Sequence, residues 1–162
     1  MKTLIIYYSN TGTTSLVAKT LAYHLQADIV RIHDLKNRNG FKNRFLASIN
    51  AFRESKTQIK PEKLDLTEYD VIYFGTPTWN GNPTPAIITI IDNCDLKGKD
   101  VVLFATMDSN RGDSNLERLH EKVKARGARV IESFSVKTKN KSRDQLINDT
   151  ETIIEMLDLK MY

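Results

Sequence analysis

Short apolar runs alternate along this chain with longer stretches in which apolar residues recur every three or four positions. Thr3–Tyr8 is almost wholly apolar, the pattern of a strand covered on both faces of a parallel sheet. In the stretch from Ser15 to Leu25, Val17, Leu21 and Leu25 fall at helical spacing with Leu16 and Ala18 beside them, leaving Lys19, Tyr23 and Gln26 to face outward. Asp28 to Ile32 alternates polar and apolar residues, as a strand nearer the sheet edge does, and His33 and Asp34 leave it.

Within residues 36–63, a segment closed by Pro61, Phe41, Phe45, Ile49 and Phe52 form a one-sided apolar stripe that predicts a helix. Val71–Thr76 reads as a third strand, Ala86 to Cys94 as a helix with Pro85 at a favoured early position, and Val101 to Thr106 as a fourth strand. Leu116, Leu119 and Val123 mark a helix stopped by Gly127, and Val130, Ile131, Phe134 and Val136 a last strand. The clearest helical face is the final one, through Leu146, Ile147, Thr150, Ile153, Ile154 and Leu157. Five strand patterns alternating with five helical ones imply right-handed crossovers, hence a doubly wound, three-layer α/β fold around a five-stranded parallel sheet. There is no internal repeat, and residues 1–162 read as a single domain with the basic helical segment 36–63 inside it.

Composition narrows the function classes. At 162 residues the chain is long enough to bury roughly 70% of the surface its unfolded form exposes, so no staple is needed. Its one cysteine, Cys94, excludes an internal disulfide and suits a reducing cytoplasm, and the N-terminal apolar run is too short for a membrane span or a signal-peptide core. The formal net charge is +4, yet residues 36–63 alone carry eight Lys and Arg against two Glu, so the remainder is mildly acidic. No nucleic-acid motif accompanies that segment. His24, His33 and His120 have no ligand spacing among themselves or with Cys94, which leaves no metal site, and no Ser/His/Asp or Cys/His arrangement is visible.

The chemistry lies in loops. Ser9, Asn10, Thr11, Gly12, Thr13 and Thr14 fall where the first strand turns into the first helix, so hydroxyls and unpaired backbone N–H groups converge on one anion. Neither G-x-x-x-x-G-K-[ST] nor G-x-G-x-x-G is present there, which points to a terminal monophosphate held without a lysine. The same residue types also serve as an ordinary N-cap. A second loop, Gly75-Thr76-Pro77-Thr78-Trp79-Asn80-Gly81-Asn82-Pro83, sets the only tryptophan beside turn residues after the third strand. An aromatic there serves as a stacking plane for a flat ligand, or packs against a neighbouring helix or a partner. A third loop runs from Thr106, Met107 and Asp108 past Gly112 to Asn115.

Over its whole length the chain resembles the flavodoxin family, on the first two loops above all. The resemblance implies strand order 2-1-3-4-5, with all three loops at the carboxyl edge beside one crevice. It implies FMN as cofactor, its phosphate at residues 9–14 and its ring near Thr76, Pro77, Thr78, Trp79, Asn80 and Gly81, with Thr106, Met107, Asp108 and Gly112 completing the site. It further implies that the peptide after Trp79 reorients so that its carbonyl accepts a hydrogen bond from flavin N5 once that atom is protonated, a movement Gly81 tolerates. The third loop departs from the family in having no tyrosine over the outer flavin face, and Met107, Tyr8 or Phe41 are the substitutes to look for. The function so implied is a low-potential carrier of single electrons between redox proteins, with the basic segment 36–63 suited to an acidic partner and the molecule monomeric. An FMN-dependent NAD(P)H:quinone or acceptor oxidoreductase is the alternative, favoured by the open third loop. A flavin-free signalling module is disfavoured, because the third strand ends in Gly75-Thr76 where a phosphate receiver needs an acid.

Overall fold

A computed structural model describes residues 1–36, 56–108 and 112–162. Its centre is β1 (Thr3–Tyr8), whose six residues are all buried. Successive side chains on a strand point to opposite faces, and here both faces are covered. Leu4, Ile6 and Tyr8 join one apolar cluster while Ile5 and Tyr7 join the other.

The other main strands are β2 (Asp28–Asp34), β4 (Val71–Pro77), β5 (Asp100–Met107) and β6 (Arg129–Lys137). All five run parallel in the spatial order β2-β1-β4-β5-β6, which is the expected 2-1-3-4-5. The sheet differs from the five-stranded expectation by a sixth, two-residue strand, β3 (Ile59–Lys60), which pairs antiparallel with the end of β2. That pairing explains a second correction. His33 and Asp34 stay in β2 because Lys60 and Ile59 face them across the ladder. Pro61, which has no N–H to donate, follows β3 directly.

Four α-helices are present among the described residues: α1 (Thr13–Leu25), α2 (Pro85–Asn93), α3 (Gly112–Ala125) and α4 (Arg143–Met156). The helix expected over Phe41, Phe45, Ile49 and Phe52 lies outside the described residues. On one face of the sheet Ile87, Ile90 and Ile91 of α2 and Leu119 and Val123 of α3 pack on Ile6, Phe74 and Leu103. On the other, Val17 and Leu21 of α1 and Leu146 and Ile154 of α4 pack on Ile5, Tyr73 and Phe104. Each fully buried Ile or Leu contributes about 1.5–3 kcal/mol. A Ser142–Gln145 capping box starts α4, and His24 Nε2 meets Glu151 Oε1 at 2.9 Å to tie α1 to α4.

Gly75, in β4 just below the second loop, is required for space. A Cβ there would lie 2.0 Å from Cζ of Phe104, whose ring stacks on Phe134 with centroids 5.8 Å apart. The parallel strands bring the loops after β1, β4 and β5 to one edge of the sheet.

Candidate functional site

The first loop folds around its own first residue. Ser9 is buried, and its Oγ accepts the Gly12 N–H at 3.1 Å. Gly12 has φ 98°, a left-handed conformation that glycine adopts without a Cβ penalty. Thr13 and Thr14, read from the sequence as part of the turn, already form the first turn of α1. Gly12 is the N-cap of that helix and has no side chain to offer, and the first turn carries no acidic residue. The positive end of the helix dipole therefore lacks an internal side-chain cap. Thr11 and Gly12 are exposed, and Asn10 and Thr13 half-buried, around this terminus. Thr14 turns inward, its Oγ1 2.7 Å from Thr106 Oγ1, and the Tyr7 hydroxyl lies 3.1 Å from Ser15 Oγ beneath the helix start. From β2, Arg31 donates an Nη2 hydrogen bond to the Ser9 carbonyl at 2.8 Å.

The second loop is held by hydrogen bonds from within the protein, most of them to its carbonyls. The Trp79 N–H donates to the Asn82 carbonyl at 2.9 Å and the Asn82 N–H to the Trp79 carbonyl at 3.0 Å, closing a two-residue hairpin. At its tip Asn80 and Gly81 have φ 51° and 77°. Two positive φ values are the mark of a type I′ turn, for which Asn-Gly is the favoured pair. Asn82 Nδ2 donates to the Asn80 carbonyl at 2.9 Å and Ser114 Oγ to the Gly81 carbonyl at 2.8 Å. Asn115 Nδ2 donates to Thr78 Oγ1 at 2.9 Å and approaches the Pro77 carbonyl at 3.4 Å. At the base, the buried Thr76 hydroxyl donates to the Pro77 carbonyl at 2.9 Å and accepts the Thr84 N–H at 3.1 Å, which fixes the loop to the start of α2. Trp79 is half-buried; its ring meets Tyr8 edge-on at 5.7 Å and rests on the first core cluster.

Thr106 joins the loops. Its carbonyl accepts the Thr78 N–H at 2.9 Å while its hydroxyl meets Thr14. Of the proposed substitutes for a covering tyrosine, Tyr8 and Met107 are both buried, and Phe41 lies outside the described residues. Asp108 is exposed and accepts from Thr138 Oγ1 at 2.6 Å, and Gly112 opens α3.

Two observations fit a bound organic phosphate with a polar ring system. The α1 terminus offers donors without an internal side-chain cap, and two fully buried acceptors beside the second loop, Asn82 Oδ1 and Asn115 Oδ1, have no hydrogen-bond partner among the described residues. Orphan buried acceptors are uncommon and call for a donor. No group of His, Cys, Asp and Glu among the described residues is placed to hold a metal. Cys94 is fully buried, and burial pushes its thiol pKa up, so it is a poor nucleophile.

A family model described as Flavodoxin matches residues 2–153. The chain belongs to the flavodoxin family. It is 24% identical to a flavodoxin of a Nostoc species over 139 residues, covering 81% of this chain and 68% of that one. A Lactobacillus acidophilus flavoprotein solved in complex with FMN superposes with TM-score 0.72 at 24% identity, covering 83% of this chain and 92% of that one. A Bacteroides eggerthii protein provisionally assigned as a flavoprotein gives TM-score 0.74 at 24% identity, with 96% of each chain covered. At these identities the two solved structures are likenesses of fold. No helix among the described residues of this flavodoxin is long and apolar enough to cross a membrane.

Sequence reasoning missed the flavodoxin loops' internal fasteners: Arg31, Thr84, the Asn82 and Asn115 amides, and Ser114. Only Arg31 left a signal, as the long cation of an alternating strand.

Proposed function

We propose that this flavodoxin is a carrier of single electrons that binds FMN non-covalently across its first and second loops. The observation that carries the reading is the α1 N-terminus: a hydroxyl-rich turn with no side-chain cap and no acid, beside a tryptophan hairpin at the same sheet edge. A phosphate dianion satisfies such a terminus by hydrogen bonds and helix dipole together. Thr11 and Thr13 stand at the mouth to donate, and Ser9 holds the turn in shape through Gly12. When bound, FMN supplies one-electron exchange with protein partners.

The chain's part is to hold the ring and tune its surroundings. Trp79, braced by Tyr8, offers an aromatic face. Asn80 and Gly81 present the hairpin tip, and Thr76, Pro77 and Thr78 are its stem. Reorienting the Asn80–Gly81 peptide requires release of the Asn80 carbonyl by Asn82 Nδ2, so that bond opposes the movement. Thr106 ties the floor between the loops, its carbonyl to Thr78 and its hydroxyl to Thr14.

A second reading, an FMN-dependent NAD(P)H:acceptor oxidoreductase, draws on one feature: residues 107–115 contain no aromatic to cover the outer ring face. The two are separated by reducing the FMN-loaded protein stepwise without oxygen and then offering NADH or NADPH. Two resolved one-electron steps with no oxidation of pyridine nucleotide are expected of the carrier. Sustained NADH or NADPH oxidation assigns the protein to the enzymes.

A further inference from the structure

Arg31 is the long cation that reaches the phosphate loop from a neighbouring strand. Ile32 is fully buried in the first core cluster, on the α2 and α3 side of the sheet. Strand alternation therefore turns Arg31 to the opposite side, the one α1 covers. From there its Nη2 reaches the carbonyl of Ser9 at 2.8 Å, the residue on which the loop closes. This places a guanidinium beside the first residue of a turn whose other donors are neutral.

We propose that Arg31 is an anion-binding residue of this site, its charge acting on a phosphate dianion held at residues 9–14. The inference rests on the phosphate-cradle reading above. The bond to Ser9 uses one of the five N–H donors in the planar fork and fixes the fork's position, so a phosphate oxygen at the loop meets a charge whose side-chain entropy is already spent. Three features favour a dianion there: no acid in the first turn of α1, the helix dipole, and the guanidinium. The charge lies at an exposed residue, so its effect is screened by salt over a Debye length of about 8 Å at physiological ionic strength.

A cation that merely props the loop is the competing role, and the salt dependence and the riboflavin control separate the two: loss of a prop weakens both flavins at any salt, whereas loss of the charge weakens FMN alone and chiefly at low salt. Arg31→Gln removes the charge and keeps only a shorter amide donor, whereas Arg31→Lys retains the charge and an N–H donor without the fork. FMN and riboflavin are titrated into the parent and both variants from low to high salt, and inorganic phosphate into the ligand-free proteins, followed at the Thr13 and Thr14 amide resonances. The expected result is a loss of FMN affinity in Arg31→Gln of roughly tenfold at low salt. Its riboflavin affinity stays at the parent's, its salt dependence is flatter and its phosphate shifts are weaker, while Arg31→Lys retains most of the parent's behaviour. Parental FMN affinity, salt slope and phosphate shifts in Arg31→Gln overturn the proposal, as does an equal loss of FMN and riboflavin in both variants. Failure of the parent to bind FMN defeats the functional reading by itself, and the phosphate titration still decides the role of Arg31.

Discussion

The two described loops of the site solve opposite problems. Residues 9–12 close through one side-chain bond, Gly12 N–H to Ser9 Oγ, and leave the start of α1 without a side-chain cap. Residues 77–82 are fastened at several points, with the carbonyls of Pro77, Asn80 and Gly81 all accepting side-chain hydrogen bonds. Open donors suit an anion, and engaged carbonyls at Pro77, Asn80 and Gly81 suit a stiff support for an aromatic face, which is the division of labour the proposed function draws on. The difference teaches that stability and binding are divided between them. Damage to the second loop should register first in folding, and damage to the first in affinity.

The largest effect is expected at the floor of the second loop. Gly75→Val puts side-chain atoms inside the Phe104 ring and should cost about 3 kcal/mol in urea denaturation, by the usual penalty for overpacking a core. Asn115→Ala comes next. It removes the donor for Thr78 Oγ1 and leaves a small buried void, at a cost of about 2 kcal/mol by the same measurement. If either variant unfolds like the parent, the second loop is not the stiff region described here.

Gly81→Ala sharpens the contrast, because φ 77° strains any residue with a Cβ by about 1–2 kcal/mol. It should draw the two one-electron potentials of the FMN-loaded protein together while changing FMN affinity less. An unaltered separation would mean that the hairpin peptide has no part in tuning the cofactor. Ser114→Ala gives the smallest effect, about 1 kcal/mol or less in stability, since it removes a single bond to the Gly81 carbonyl from a half-open position. Its readout is the rate of exchange of the Gly81 and Asn82 amides, which should rise.

The same contrast shows what was legible in the sequence. β1 is legible from Thr3 to Tyr8 because a strand buried on both faces is a continuous apolar run. The hydroxyl-rich turn after it was legible because its chemistry is local. β3 left no trace, since two residues carry no period, and with it went the continuation of β2 through His33 and Asp34. The fasteners of the second loop were hidden for another reason. Ser114 lies 33 residues from the carbonyl it serves and Asn115 lies 37 from Thr78, so only the packing of α3 over β5, which sets its first turn against the loop after β4, reveals them. Residues 37–55 and 109–111, which include much of the basic segment and part of the third loop, lie outside the described structure.

The central claim is that a phosphate dianion is received at the start of α1, and the direct measurement is a paired titration of the cofactor-free protein with FMN and with riboflavin, followed by flavin fluorescence. The two ligands differ only in the phosphate. FMN should bind far more tightly than riboflavin, and Thr11→Ala with Thr13→Ala should erase most of that advantage while leaving riboflavin affinity near the parent's. Equal affinities for FMN and riboflavin in the parent protein would contradict the claim.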